Sequence, residues 1–129
     1  MSQQIEKNMA KRVYIVENAA SRCYTPILRH LVEGMDVQVL TLDDSADNRM
    51  ESIMACIREC DAVLISGAPD ADMAVAVGAA YAMERPVLHL CDRDDLTSSN
   101  VAAAVATFIF DTGDVVAKLQ DVLQPDRRQ

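Results

Sequence analysis

Residues 62–90 have the sequence AVLISGAPDADMAVAVGAAYAMERPVLHL, and this stretch decides the fold. It opens with an unbroken apolar run, Ala62 to Ile65, which is typical of a strand covered on both faces. After a turn at Gly67, residues 72–85 predict a helix that is apolar nearly all round and therefore deeply buried. Residues 86–90 form a second apolar strand. Strand, helix and strand in this order indicate two parallel strands joined by a crossover helix.

The same alternation continues on both sides of this stretch. Strands are predicted at residues 12–16, 37–40 and 107–110. Helices are predicted to begin at Thr25-Pro26, after a turn and cap at residues 43–45, and at a Thr112 cap. The pattern predicts an α/β protein: a flavodoxin-like three-layer sandwich with a five-stranded parallel sheet in the order 2-1-3-4-5. We expect one domain over residues 12–124, with flexible segments at 1–11 and 125–129.

Composition narrows the choice of partners. The chain has 129 residues and a net charge of −8, which argues against binding to nucleic acid or to an anionic membrane surface. Its start lacks the apolar segment of a signal peptide, so we expect a cytoplasmic protein with reduced thiols. Cys56 and Cys60 are interpreted as small core residues, and His30 and His89 as structural residues. The pattern indicates neither a cofactor nor a metal site.

A ligand site is expected where the first and third strands end, because open α/β sheets bind ligands outside the carboxyl ends of their strands. Asp70 and Asp72 are the candidate catalytic residues, although an aspartate at a helix start is also a favoured cap. The residues predicted to line the site are Glu17, Asn18, Gly67, Asp70, Ala76, Gly78, Ser99 and Asn100.

Gly78 is unexpected in a helix interior, where glycine costs about 1 kcal/mol relative to alanine. The cost predicts a close approach at this position. The approaching group would be a strand, a partner subunit or the ring of a bound ligand.

Residues 70–87, DADMAVAVGAAYAMERPV, resemble the signature D-x-x-T/S-x-x-E-x-G-x-A-x-A-x-x-K-P-V of the nucleoside 2-deoxyribosyltransferase family. Residues 13–15, 60–65 and 108–111 are similar to other strands of that family, so the resemblance spans most of residues 12–123. It implies a flavodoxin-like fold, a nucleoside or nucleotide ligand and association into dimers.

The signature is incomplete at several positions. Ala76 stands where the family has its nucleophilic glutamate, Met73 replaces Thr or Ser, and Arg85 replaces Lys. Glu17-Asn18 occupy the usual Gly-Pro positions after the first strand. The family chemistry resembles that of retaining glycosidases, in which a carboxylate attacks the anomeric carbon, and an alanine methyl group cannot do this.

Three hypotheses about function remain open at this point. The first is a binding domain for a nucleoside, nucleotide or related sugar that lacks glycosyl transfer. The second is an enzyme acting on N-glycosidic bonds with relocated carboxylates at Glu17, Asp70 or Asp72. The third is a dimeric interaction module built on the apolar helix at residues 72–85.

Overall fold

The computed structural model describes residues 11–16, 25–42, 49–67, 71–90, 107–109 and 111–123. Its strands are β1 (Lys11–Ile15), β2 (Val37–Leu40), β3 (Ala62–Ser66), β4 (Val87–Leu90) and β5 (Thr107–Ile109). Its helices are α1 (Thr25–Glu33), α2 (Arg49–Glu59), α3 (Ala71–Ala82) and α4 (Val115–Val122), the last preceded by a 3-10 turn at Thr112–Asp114.

The strands form a parallel α/β sheet in which β1 lies between β2 and β3, and β4 follows β3. This class and the order 2-1-3-4 agree with the sequence prediction. The three residues of β5 pair with β4 from Leu88↔Thr107 to Leu90↔Ile109. Strand β1 starts at Lys11, inside the segment predicted to be flexible, because Lys11 pairs with Val37.

Two apolar clusters lie on opposite faces of the sheet. Helices α2 and α3 cover one face and α1 and α4 the other. Neighbours along β3 alternate between the clusters, so that Leu64 packs under α1 and Ile65 under α3. This alternation explains the unbroken apolar run, since each residue of β3 is buried on one side or the other.

Helix α3 is buried along one face only, so the prediction of deep burial is wrong for its other face. Met73, Ala76 and Ala80 are fully buried against the sheet. The opposite face is exposed at Ala74 and Gly78, and the Tyr81 side chain is 68% exposed. Small apolar residues occupy both faces of α3, so their type does not show which face is buried. The 3.6-residue helical repeat places one set of them against the sheet and the other set towards solvent.

The close approach predicted at Gly78 is not seen among the described residues. Gly78 is exposed, and a Cβ added there would meet no heavy atom of the described residues within 4 Å. Packing of this glycine against a partner subunit or against the ring of a bound ligand stays a prediction.

The edge of the sheet where β1 and β3 begin, here called the amino edge, is held by hydrogen bonds to the backbone. The Arg12 N–H donates to Asp61 Oδ2 at 2.8 Å, and the Asp61 N–H donates to the Arg12 carbonyl at 2.7 Å. Arg85 donates from Nη2 to the Arg58 carbonyl at 2.9 Å and from Nε to the Ile57 carbonyl at 3.3 Å. Arg85 therefore caps the carboxyl end of α2.

Hydrogen bonds define the end of α3 and the start of the 3-10 turn before α4. Helix α3 stops in a Schellman motif, with Arg85 N–H donating to Ala80 O at 2.8 Å and Glu84 in the left-handed region at φ 60°. Before α4, the Asp111 side chain accepts a hydrogen bond from Gly113 N–H at 3.0 Å. Asp111 is thus the cap of the 3-10 turn. The cap predicted at Thr112 is wrong by one residue, because Thr112 is already inside the turn.

Candidate functional site

The candidate site lies at the carboxyl edge, where β1, β3 and β4 end side by side. Ile15 pairs with Leu64, and Ser66 pairs with Leu90, so the three strand ends meet at one edge. Ser66 is the last residue of β3, and Gly67 follows it directly. The edge between β1 and β3 is the switch point at which open α/β sheets bind ligands.

Ser66 places a polar atom in a fully enclosed position. The residue is 0% exposed, and no described residue offers a hydrogen-bond partner to its hydroxyl. Because side chains alternate along a strand, Ser66 shares the face of Ala62 and Leu64, which is the face covered by α1 and α4. An enclosed hydroxyl without a partner is unfavourable for folding.

Gly67 shapes the turn between β3 and α3. Its φ of 77° lies in the left-handed region, which glycine adopts without the steric cost that a Cβ would add. Its N–H donates to the Leu90 carbonyl at 2.9 Å, so the turn is attached to the end of β4.

A buried histidine holds the same turn from the other face of the sheet. His89 is 1% exposed, and its Nε2 lies 2.7 Å from the Gly67 carbonyl oxygen. A carbonyl only accepts, so the ring proton resides on Nε2 and donates to Gly67. The structural interpretation of His89 agrees with this contact. Both polar backbone groups of Gly67 are therefore hydrogen-bonded to β4, the N–H to Leu90 and the C=O to His89.

Ala76 lies inside the cluster beneath α2 and α3. Its side chain is 0% exposed, and the cluster also contains Tyr14 of β1 and Ile65 of β3. A carboxylate here would leave water for apolar surroundings, at a cost of several kcal/mol. Residue 76 therefore presents a methyl group to the buried apolar core on this face of the sheet.

The other predicted site residues are distributed as follows. Gly67 is at the carboxyl edge, whereas Gly78 is on the exposed face of α3 and away from Ala76. Asp72 is in the first turn of α3, and its side chain is outside the described residues. The remaining candidates, which also fall outside the described ranges, are Glu17, Asn18, Asp70, Ser99 and Asn100.

A cavity of about 290 Å³ runs along α1 from its first residue. The described residues that line it are Thr25, Pro26, Arg29, His30 and Glu33. Arg29 Nε is shielded from solvent and has no hydrogen-bond partner among the residues that the structure covers. This volume is close to the lower limit of small-molecule pockets, which run from about 300 Å³ upward.

The described thiols are those of core residues. Burial raises the pKa of Cys60 to about 11, outweighing the lowering effect of Arg85, and the thiol donates to the Ile57 carbonyl at 3.3 Å. Burial, followed by the charge of Glu59, also raises the pKa of Cys56. Both cysteines are free thiols, in agreement with their core interpretation. Within the described ranges, no group of three or more His, Cys, Asp or Glu is arranged to hold a metal ion.

No protein-family model matches the chain, and the search of curated proteins found no match. Among solved structures, the Vibrio vulnificus NanR protein complexed with ManNAc-6P is similar, with a TM-score of 0.57 and 15% sequence identity. The similarity covers 95% of this chain and 48% of the NanR chain, so this chain spans about half the length of NanR. At this level of identity the likeness supports a common fold.

Two structural features of the carboxyl edge were not predicted from the residue patterns. The pairing of His89 with Gly67 joins positions 22 residues apart, and only the β3–β4 register brings them together. The enclosure of Ser66 depends on the helices α1 and α4 that cover its face of the sheet, and the sequence pattern does not show it. None of the described helices combines the length and apolar character that crossing a bilayer requires.

Proposed function

We propose that this chain is a nucleoside 2-deoxyribosyltransferase-like binding domain. In this proposal its sheet is flavodoxin-like, and it takes a nucleoside, a nucleotide or a related sugar at the carboxyl edge between β1 and β3. It carries out no glycosyl transfer through residue 76. The observation that carries the proposal is the Gly67 turn, which is fixed at both polar backbone atoms by β4.

The construction of this turn supports a binding role. Burying an imidazole in an apolar core is unfavourable for folding unless the ring is hydrogen-bonded. Here the buried His89 imidazole donates a hydrogen bond to the Gly67 carbonyl. A connection between a strand and a helix does not require such a group. A rigid glycine turn, by contrast, lets a ligand approach the backbone closely.

The fold likeness to NanR supports a small phosphorylated ligand. The NanR structure is a complex with ManNAc-6P, and most of this chain resembles part of that protein. A phosphorylated sugar therefore belongs beside nucleosides and nucleotides among the ligands to be tested.

The absence of transfer through residue 76 rests on its chemistry. A covalent glycosyl intermediate needs a nucleophilic carboxylate at the anomeric carbon. Ala76 supplies a methyl group inside an apolar cluster, with no acid of the described residues among the members of that cluster.

Calorimetric titration of the full chain with adenosine, AMP, deoxyadenosine and ManNAc-6P tests the binding function. We expect at least one compound to bind, and Gly67→Ala to weaken that binding because a Cβ is strained at φ 77°. Gly34→Ala is the matched control, since an added Cβ there makes an ordinary contact of 3.4 Å with Leu31 O. If the wild-type chain binds none of the four compounds, the proposal is wrong.

A free-base assay separates binding from catalysis. The full chain is incubated with deoxynucleosides and nucleoside monophosphates, and we expect no release of base. If base is released and Asp70→Asn abolishes the release, the enzyme hypothesis with relocated carboxylates replaces the binding proposal.

A second candidate function is self-association through α3. Residues 73–83 carry no charged side chain, and their outward face exposes Ala74, Gly78 and Tyr81. Exposed apolar surface of this kind is typical of protein interfaces. We expect a dimer in sedimentation velocity that Tyr81→Glu converts to a monomer, whereas a wild-type chain that stays monomeric at high concentration contradicts this candidate.

A further inference from the structure

Helix α3 has one flank of uncharged side chains that the described residues leave uncovered. Ala74 and Gly78 are exposed, and the Tyr81 side chain is 68% exposed. These three residues follow one another at spacings of about one helical turn, so they line the same side of α3, here called the Gly78 flank. A Cβ added at Gly78 would meet no heavy atom of the described residues within 4 Å, so there is room for a close neighbour.

The other flank of α3 is already packed. Val75, Ala79 and Met83 recur at the same helical spacing, and they contact the apolar cluster that α3 shares with α2. Arg85, just after α3, donates from Nε to the Ile57 carbonyl of α2 at 3.3 Å. Helix α2 therefore lies along this side of α3, and the Gly78 flank faces away from α2.

The topology of the sheet directs the connection between β4 and β5 towards the Gly78 flank. Residues 91–106 link Leu90, the end of β4, to Thr107, which pairs with Leu88. Because β4 and β5 are parallel, this connection returns from the carboxyl edge to the amino edge across one face of the sheet. Crossovers of this kind are right-handed, and the connections from β2 to β3 and from β3 to β4 both use the face of α2 and α3. The step from β4 to β5 has the same direction across the sheet, so it is expected on this face, beside α3 and away from α2.

The second half of this connection has the composition of a packed segment. Residues 92–95 are all charged, whereas residues 101–106 read VAAAVA and carry no charge. Alanine is the strongest helix former, and Val101 and Val105 are four residues apart, so a helix would place both on one side. Small side chains on this segment and a glycine on α3 allow the two backbones to approach closely.

We propose that residues 101–106 pack along the Gly78 flank and are the partner of this surface. The inference needs no ligand, so it goes beyond the proposed function. It accounts for a glycine in the interior of α3, where glycine is otherwise unfavourable. A second copy of the chain would use the same surface, so this packing and the second candidate function exclude each other.

Nuclear Overhauser spectra of the isotope-labelled full chain test the packing directly. We expect contacts between the Tyr81 ring and the methyl groups of Val101 or Val105 within one molecule. A mixture of labelled and unlabelled chains distinguishes these contacts from contacts between molecules. The inference is overturned if the Tyr81 ring contacts residues 101–106 only between molecules, or does not contact them at all.

Substitutions on the Gly78 flank give a test in which the sign of the effect decides. On an open helix face, Gly78→Leu would raise Tm because leucine favours the helix. Beside a closely packed segment, the added side chain should lower Tm, and so should Ala74→Leu. Ala117→Leu, at an exposed position of α4 on the other face of the sheet, is the matched control and should leave Tm unchanged. A higher Tm for Gly78→Leu would contradict the packing.

A substitution in the segment completes the test. Val105→Asp should lower Tm, whereas Ser98→Asp, in the polar part of the same connection, should not. If Val105 and Gly78 meet, the double variant Gly78→Leu with Val105→Asp should lose less Tm than the sum of the two single losses, because both substitutions disrupt one contact. Losses that add in full would show that the two positions do not meet and would overturn the inference.

Discussion

The two edges of the sheet use their polar side chains in opposite ways. At the amino edge, Asp61 and Arg85 are both hydrogen-bonded to backbone groups of neighbouring elements. At the carboxyl edge, Ser66 has no partner among the described residues, and Gly67 keeps a left-handed conformation held by His89. Polar side chains of the amino edge are therefore satisfied within the chain, whereas the Ser66 hydroxyl at the carboxyl edge is not satisfied by the described residues; under the proposed function this second edge is the one that meets a ligand.

The largest expected effect comes from Ala76, on the buried face of α3. Ala76→Glu places a carboxylate among apolar side chains, and we expect a loss of roughly 4 kcal/mol in the free energy of unfolding or failure to fold. Urea denaturation measures the loss. Ala74→Glu, on the exposed face of α3, should stay within about 0.5 kcal/mol of wild type. A stable Ala76→Glu variant would mean that water reaches this position.

The amino edge should carry stability without affecting binding. Asp61→Ala removes the acceptor of the Arg12 N–H and should lower the free energy of unfolding by about 2 kcal/mol. Ligand affinity, measured in the same titrations as above, should not change. Asp36→Ala in an exposed turn is the matched control. A marked loss of affinity in the Asp61 variant would contradict the division of roles between the edges.

The end of α3 offers a gain in stability. Glu84 adopts φ 60°, a conformation that costs a residue with a Cβ about 1–2 kcal/mol. Glu84→Gly should therefore raise the free energy of unfolding by about 1 kcal/mol, after allowing for the greater chain entropy of glycine. Thermal unfolding measures the gain, and Glu51→Gly at an exposed position of α2 should show a loss instead.

Alkaline pH should weaken the amino edge through Cys60. The folded pKa is about 11, raised from the ordinary value of 9.0, so folding favours the neutral thiol. The stabilisation is complete below pH 9 and is lost as pH rises towards 11, because the unfolded chain ionises first. Denaturation at stepwise pH should show a steeper alkaline loss for wild type than for Cys60→Ala. Identical profiles would contradict the burial of this thiol.

The smallest expected effect is the most informative about the carboxyl edge. Ser66→Ala removes a hydroxyl that no described residue satisfies, so the free energy of unfolding should stay within about 0.5 kcal/mol of wild type or rise. Urea denaturation of the Ser66→Ala and Asp61→Ala variants under the same conditions compares their free energies of unfolding directly. A loss comparable to that of the Asp61 variant would show that Ser66 serves the fold.

The sheet could be predicted from the sequence because the alternation of strands and helices recurs along the chain. The strands are rich in apolar residues, the connections between β1 and β4 contain helices, and the continuous run at Ala62 to Ile65 requires cover on both faces. The position of Gly67 at the carboxyl edge followed from the topology alone.

The details that failed depend on contacts that composition does not encode. Alanine, valine and glycine occupy both faces of α3, so their pattern could not identify the exposed face. Asp61 lies in a stretch that resembles the strand before a ligand site, yet it binds the Arg12 backbone at the opposite edge. The predicted acids at Asp70 and Glu17 stay predictions.

The division of the core by the sheet has a consequence for engineering. Met73 and Leu119 belong to clusters on opposite faces and share no cluster partner. Effects of distant, independent substitutions add. One half of the interior can therefore be repacked by design while the other half is left as it is.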